Sequence, residues 1–203
     1  MPSSFLALGD SYTIGEGVPA AASWPMQLAE RLRSEGVDVD DPRLVATTGW
    51  TTDELAAAMD AETFAPPYAL VTLLIGVNDQ YRGRSLDEYR EQFRVLLCRA
   101  IALAGGIAPR VVVVSIPDWG VTAFARSSNR GRVQVADQID AFNEAARSEV
   151  EASGACWADV TPISRAPEAR DELVADGLHP SGAQYARWVE AVLPVALEIL
   201  RAA

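Results

Sequence analysis

Five short apolar runs, separated by stretches with helical periodicity, set the pattern of this chain. The runs are Ser4 to Leu8, Arg43 to Thr47, Leu70 to Ile75, Val111 to Ile116 and Ala155 to Val160. The third and fourth have almost no polar alternation, as expected for strands buried on both faces of a parallel sheet. Between them, apolar residues recur at helical spacing. A helix is expected from Pro25 to Gly36, and a second from a Thr51/Glu54 capping box that turns Leu55 and Met59 inward. A third carries Leu86, Tyr89, Phe93, Leu96, Leu97 and Ile101, and Gly105-Gly106 ends it. A fourth carries Val135, Ile139, Phe142, Ala146 and Val150 up to Gly154. The last starts near Pro180, carries Tyr185 to Leu200, and is expected to kink at Pro194. Strand and helix alternate throughout. The pattern predicts a three-layer α/β/α fold with a five-stranded parallel sheet in the flavodoxin-like order 2-1-3-4-5, all of residues 1–203 forming one domain.

Composition changes this picture little. Of 203 residues, 49% are hydrophobic and 22% charged, a globular composition. The net charge of -11 repels phosphate backbones and anionic membranes, so no nucleic-acid partner is expected. No apolar run reaches membrane-spanning length, and no signal peptide is visible, so a cytoplasmic location is expected. Cys98 and Cys156 are read as buried free thiols. One histidine and two distant cysteines supply no ligand cluster, so neither metal nor cofactor is expected. Oligomeric state has no signature in the sequence.

The residues that follow the strands bring in chemistry. Ser11 follows the first, Gly49 the second, Gly76-Val77-Asn78-Asp79 the third, and Asp176 and His179 lie beyond the fifth. In a parallel sheet these ends share one edge, where open α/β sheets bind ligands. A serine hydroxyl is a weak nucleophile until a base takes its proton. His179, the only histidine, has the side-chain type suited to that task near neutral pH. Asp176, three residues earlier, has the position to hold the other ring nitrogen. The backbone N–H groups of Ser11 and Gly49 and the Asn78 amide are candidate donors to a developing oxyanion. Each residue also has a plainer use. Ser11, Asn78 and Asp176 are types that satisfy turns, Gly49 suits a positive φ, and His179 beside Pro180 has the position of a helix N-cap. Asp10 and Asp79 are assigned to loop bracing. Trp50, Trp119 and Phe124 are candidates for lining an acyl or aryl pocket, or for ordinary packing. The stretch around Arg126, Arg130 and Arg132 is read as a solvated loop, with a lid over the site as the alternative.

These residues carry a resemblance to the GDSL/SGNH hydrolase family of esterases and lipases. Gly9-Asp10-Ser11 resembles its nucleophile block, with Tyr12 where the name-giving leucine would stand; Gly49 resembles the second-block glycine. Gly76-Val77-Asn78-Asp79 and Asp176-Gly177-Leu178-His179 resemble the G-x-N-D and D-x-x-H blocks. The resemblance implies Ser11 as nucleophile, His179 and Asp176 as its catalytic partners, and an oxyanion hole of Ser11, Gly49 and Asn78. It implies a small-molecule ester substrate, with short-chain or aryl esters favoured, and an acyl-enzyme intermediate. A thioesterase, a carbohydrate deacetylase or an acyltransferase would use the same residues. Rivals of other kinds are a non-catalytic ligand-binding domain and a nucleotide- or flavin-binding module. The second lacks a G-x-G-x-x-G or G-x-x-x-x-G-K-[ST] loop, and an α/β-hydrolase would want a G-x-S-x-G elbow that is absent.

Overall fold

The computed structural model describes residues 2–128 and 130–202. The apolar runs form β1 (Phe5–Gly9), β2 (Arg43–Ala46), β3 (Leu70–Leu74), β4 (Val111–Val114) and β5 (Cys156–Ala158). They make one parallel sheet in the order 2-1-3-4-5, as the alternating pattern predicts. Every residue of β1, β3 and β4 is buried, which is why these runs carry no polar alternation. Gly9 pairs with Ala46 on one side and Leu74 on the other, so the chain leaves β1, β2 and β3 at one level of one edge.

Among the described residues, helices follow the strands as α1 (Ser11–Ile14), α2 (Trp24–Ser34), α3 (Thr52–Ala61), α4 (Val77–Tyr81), α5 (Leu86–Leu103), α6 (Ala123–Ser127), α7 (Arg132–Ser153), α8 (Thr161–Arg165) and α9 (Gly182–Arg201). Helices α2 and α9 pack together, as do α5 with both α3 and α7. Right-handed crossovers place these two groups on opposite faces of the sheet. The Glu54 carboxylate accepts the Thr51 N–H at 2.9 Å, the bond that the capping spacing predicts. Gly154 ends α7 in the left-handed conformation.

Two expectations, on the start of α9 and on the thiols, are corrected. Helix α9 continues through Pro194, which has no N–H to donate to the carbonyl one turn back. Its N-cap is Ser181, whose hydroxyl accepts the Gln184 N–H, so the capping role does not fall to His179. The thiols are free but not buried: Cys98 is on the exposed side of α5, and Cys156 is half-buried at the start of β5. No helix among the described residues is long and apolar enough to cross a membrane.

Candidate active site

The site is assembled where β1, β2 and β3 end. Asp10 caps α1, its Oδ1 accepting the Tyr12 N–H at 3.0 Å. Ser11 is therefore the first residue of a helix, and its own N–H has no acceptor among the described residues. At the end of β2, Gly49 adopts φ +88°, and its carbonyl accepts from Arg82 Nη2 at 2.7 Å. That turn leaves the Gly49 N–H without an acceptor among the described residues. At the end of β3, Gly76 adopts φ +126°, where a Cβ would lie 2.5 Å from the Tyr89 ring. Asn78 follows on α4 and donates from Nδ2 to the Trp50 carbonyl at 2.9 Å. One amide hydrogen is thus fixed, and the other has no acceptor among the described residues.

The loop between α8 and α9 supplies the remaining groups. Val174 N–H donates to the His179 carbonyl at 2.9 Å, and Ser181 N–H to that of Glu172 at 2.8 Å, which makes a narrow two-sided loop. Its tip is tied to α6, whose Phe124 N–H donates to the Gly177 carbonyl at 3.0 Å. This bracing puts His179 Nε2 2.9 Å from Ser11 Oγ, across 168 residues of sequence. His179 Nδ1 is 2.6 Å from Asp176 Oδ2. Asp176 Oδ1 accepts the N–H groups of Leu178 at 2.8 Å and His179 at 3.0 Å. Ser11 and His179 are buried, whereas the Asp176 side chain is 41% exposed.

The charges are set by burial and partners. Burial raises the Asp176 pKa, but the hydrogen bonds from the His179 ring and from two backbone N–H groups lower it more, to below the usual carboxylate range. The result is a carboxylate beside Nδ1 that can orient the ring and stabilise an imidazolium. Asp10 is fully buried, and its Oδ2 has no partner among the described residues. Burial, opposed by the Tyr12 N–H and reinforced by the charge of Asp79, pushes Asp10 up to about 8. Asp79, also buried, accepts from the Thr52 hydroxyl at 2.7 Å and joins α4 to α3. Both acids brace their loops.

Beside Ser11 and His179 opens a cleft of about 150 Å³ that Gly49 and Asn78 also line. Trp119 and Phe124 are in its wall; Trp50 is not, being packed on the core and contributing its carbonyl to Asn78. The exit of β2 faces the Trp50 carbonyl toward α4, which leaves the indole outside the cleft. Tyr81, Thr48, Tyr12 and Leu178 line the cleft as well. Tyr81, Trp119 and Phe124 form one aromatic cluster, with centroids 5.3 Å, 6.1 Å and 6.2 Å apart. Tyr81 could have been found from the sequence as the residue one helical turn beyond Val77, had α4 been recognised. Of the stretch read as loop, Arg126 lies on α6, which also carries Phe124, and Arg132 is the first residue of α7.

The fold has counterparts among known proteins. Residues 7–187 match the model of the GDSL-like lipase/acylhydrolase family, and the chain belongs to that family. It is thus a GDSL/SGNH-type esterase or lipase by class. The crystal structure of TesA superimposes with a TM-score of 0.75 at 22% identity, covering 97% of this chain and 99% of that one. A lipase/acylhydrolase from Enterococcus faecalis gives 0.76 at 19% identity, covering 98% of this chain and 96% of that one. The acetyl xylan esterase AlAXEase gives 0.70 at 17% identity, covering 94% and 98%. At these identities the structures share the fold. Among curated proteins no sequence match is found.

Proposed function

We propose that the 203 residues act as one catalytic unit that hydrolyses small carboxylic esters through an acyl-enzyme on Ser11. The observation that supports this reading most is the continuous hydrogen-bonded path from Ser11 Oγ through both nitrogens of His179 to Asp176, at 2.9 Å and 2.6 Å. His179 takes the Ser11 proton as Oγ attacks the carbonyl carbon. The oxyanion is met by the free N–H groups of Ser11 and Gly49 and the free Asn78 amide hydrogen. The imidazolium, steadied by Asp176, gives its proton to the leaving alcohol as the C–O bond breaks. Water, activated by the same nitrogen, then attacks the acyl-enzyme and releases the acid.

A cleft of about 150 Å³ with an aromatic wall suits short acyl or aryl groups, since a cavity of about that size takes a benzene ring. The same volume fits an acetyl group on a sugar, so carbohydrate deacetylation is the second reading. Hydrolysis of p-nitrophenyl esters from acetate to palmitate by wild type and Ser11→Ala tests the first. Turnover is expected to be greatest at short chains and lost in the variant. Equal turnover by both proteins would remove Ser11 from the chemistry.

A further inference from the structure

All 17 basic residues of this chain are arginines. Eleven of them form ion pairs, and six form none among the described residues. Four of these six, Arg126, Arg130, Arg132 and Arg170, line a single groove of about 490 Å³ together with Val121 and Thr122. Four like charges converge there without a counter-charge, in a protein whose net charge is -11. Of the other thirteen arginines only Arg94 and Arg110 lack an ion pair among the described residues, and neither lines the groove, so the cluster of four is the exception on an acidic surface.

The groove adjoins the cleft beside Ser11. Arg130 links the two: its guanidinium lies 4.8 Å from the Tyr81 ring centroid and 5.8 Å from that of Trp119, and it donates to the Tyr81 carbonyl. Both rings line the cleft. Helix α6 lies between, with Phe124 on the cleft and Ala125 and Arg126 on the groove. The four guanidinium groups thus lie on the far side of the aromatic wall of the cleft, next to the space that a substrate bound there would occupy.

We propose that Arg126, Arg130, Arg132 and Arg170 form a subsite for a phosphate-bearing leaving group, so that the preferred substrates are esters of phosphorylated alcohols. Planar guanidinium forks match phosphate oxygens, and four of them suit a multiply charged phosphoryl group better than a single carboxylate. The field of the cluster is focused in a concave wall, which raises its effect on an anion. The proposal rests on the esterase reading of the neighbouring cleft.

The test compares wild type with an Arg126→Gln, Arg132→Gln, Arg170→Gln triple variant. These three side chains are exposed, so their replacement leaves the core untouched. Arg94→Gln on α5 serves as the control for charge alone. Two measurements are made: calorimetric binding of inorganic pyrophosphate, and kcat/KM for 1-butyrylglycerol 3-phosphate against neutral 1-butyrylglycerol. Wild type and the control are expected to bind pyrophosphate and to prefer the phosphorylated ester. The triple variant is expected to lose about 10-fold or more in both, mainly through KM, while the neutral ester changes less than about 2-fold. No pyrophosphate binding, binding that survives the triple change, or an equal loss on the neutral ester would overturn the proposal. Pyrophosphate binding that depends on the arginines without preference for the phosphorylated ester would overturn it too, leaving only a free-phosphate site. If wild type hydrolyses neither ester, the esterase reading fails by itself, and pyrophosphate binding still reports on the cluster.

Discussion

The Tyr12 ring lies 5.5 Å from the His179 ring, tilted by 58°, and 5.9 Å from that of Trp188 on its other side. The residue that replaces the name-giving leucine of the family is thus a packing surface for the imidazole, joined to the core through α9. Aromatic pairs of this kind are worth about 0.5–1.5 kcal/mol beyond area burial. Tyr12→Leu is accordingly expected to keep the Ser11–His179 bond and to lower kcat by about 2- to 10-fold. Steady-state kinetics on p-nitrophenyl butyrate measure it. An unchanged kcat would separate Tyr12 from imidazole positioning.

Asn78 is held by Trp50, so its second amide hydrogen has a fixed direction. Asn78→Ala is expected to lower kcat by about 100- to 1000-fold with little change in KM, because the bond to the oxyanion exists only as charge develops. A loss confined to KM would assign Asn78 to ground-state binding.

Asp10 links the site to stability. Burial pushes its carboxyl from the ordinary aspartate value of 3.8 up to about 8 in the folded protein. The folded state holds the proton more tightly than the unfolded chain. The stability so gained is full below the lower value and is lost progressively as pH rises through the upper one. Asp10→Asn keeps an oxygen for the Tyr12 N–H and removes the titration. Relative to wild type it should gain stability between about pH 4 and pH 8, by up to several kcal/mol. Urea midpoints at the two ends of that range measure this. A gap that does not vary with pH would show that Asp10 does not titrate there.

The architecture and the chemistry-bearing residues were legible because each had a local sign. Val111 to Val114 has no polar face and is buried on both sides of the sheet. Ser11, Gly49, Asn78 and His179 each follow a strand or precede a helix, and one histidine leaves no choice of imidazole. What escaped had no periodic sign. Helices α1 and α4 span four and five residues, too few to show a 3.6-residue repeat, so Tyr81 was not placed in the cleft. Trp50 and Trp119 follow strands in similar fashion, yet only Trp119, itself a member of the core, also lines the cleft. That difference is set by the direction of each chain at its turn, which the pattern of residue types does not encode.

The pH dependence follows from the same geometry. Asp176 is held below the ordinary carboxylate range, so it stays ionised while an acid limb develops. Turnover should fall with a one-proton limb as pH is lowered, because a protonated His179 cannot accept the Ser11 proton. Asp176→Asn should lower kcat by about 100- to 10,000-fold, since the ring then loses its orienting anion. A rate constant with pH down to about 4 would contradict His179 as the base.

On the proposed mechanism Ser11 is made nucleophilic by His179. Intact-protein mass spectrometry after brief exposure to a fluorophosphonate ester tests it directly, because the reagent reacts with activated serines. One phosphonyl adduct is expected, located on the peptide that contains Ser11, absent in Ser11→Ala and formed far more slowly in His179→Ala. An adduct on another residue, or one formed equally fast in His179→Ala, would contradict it.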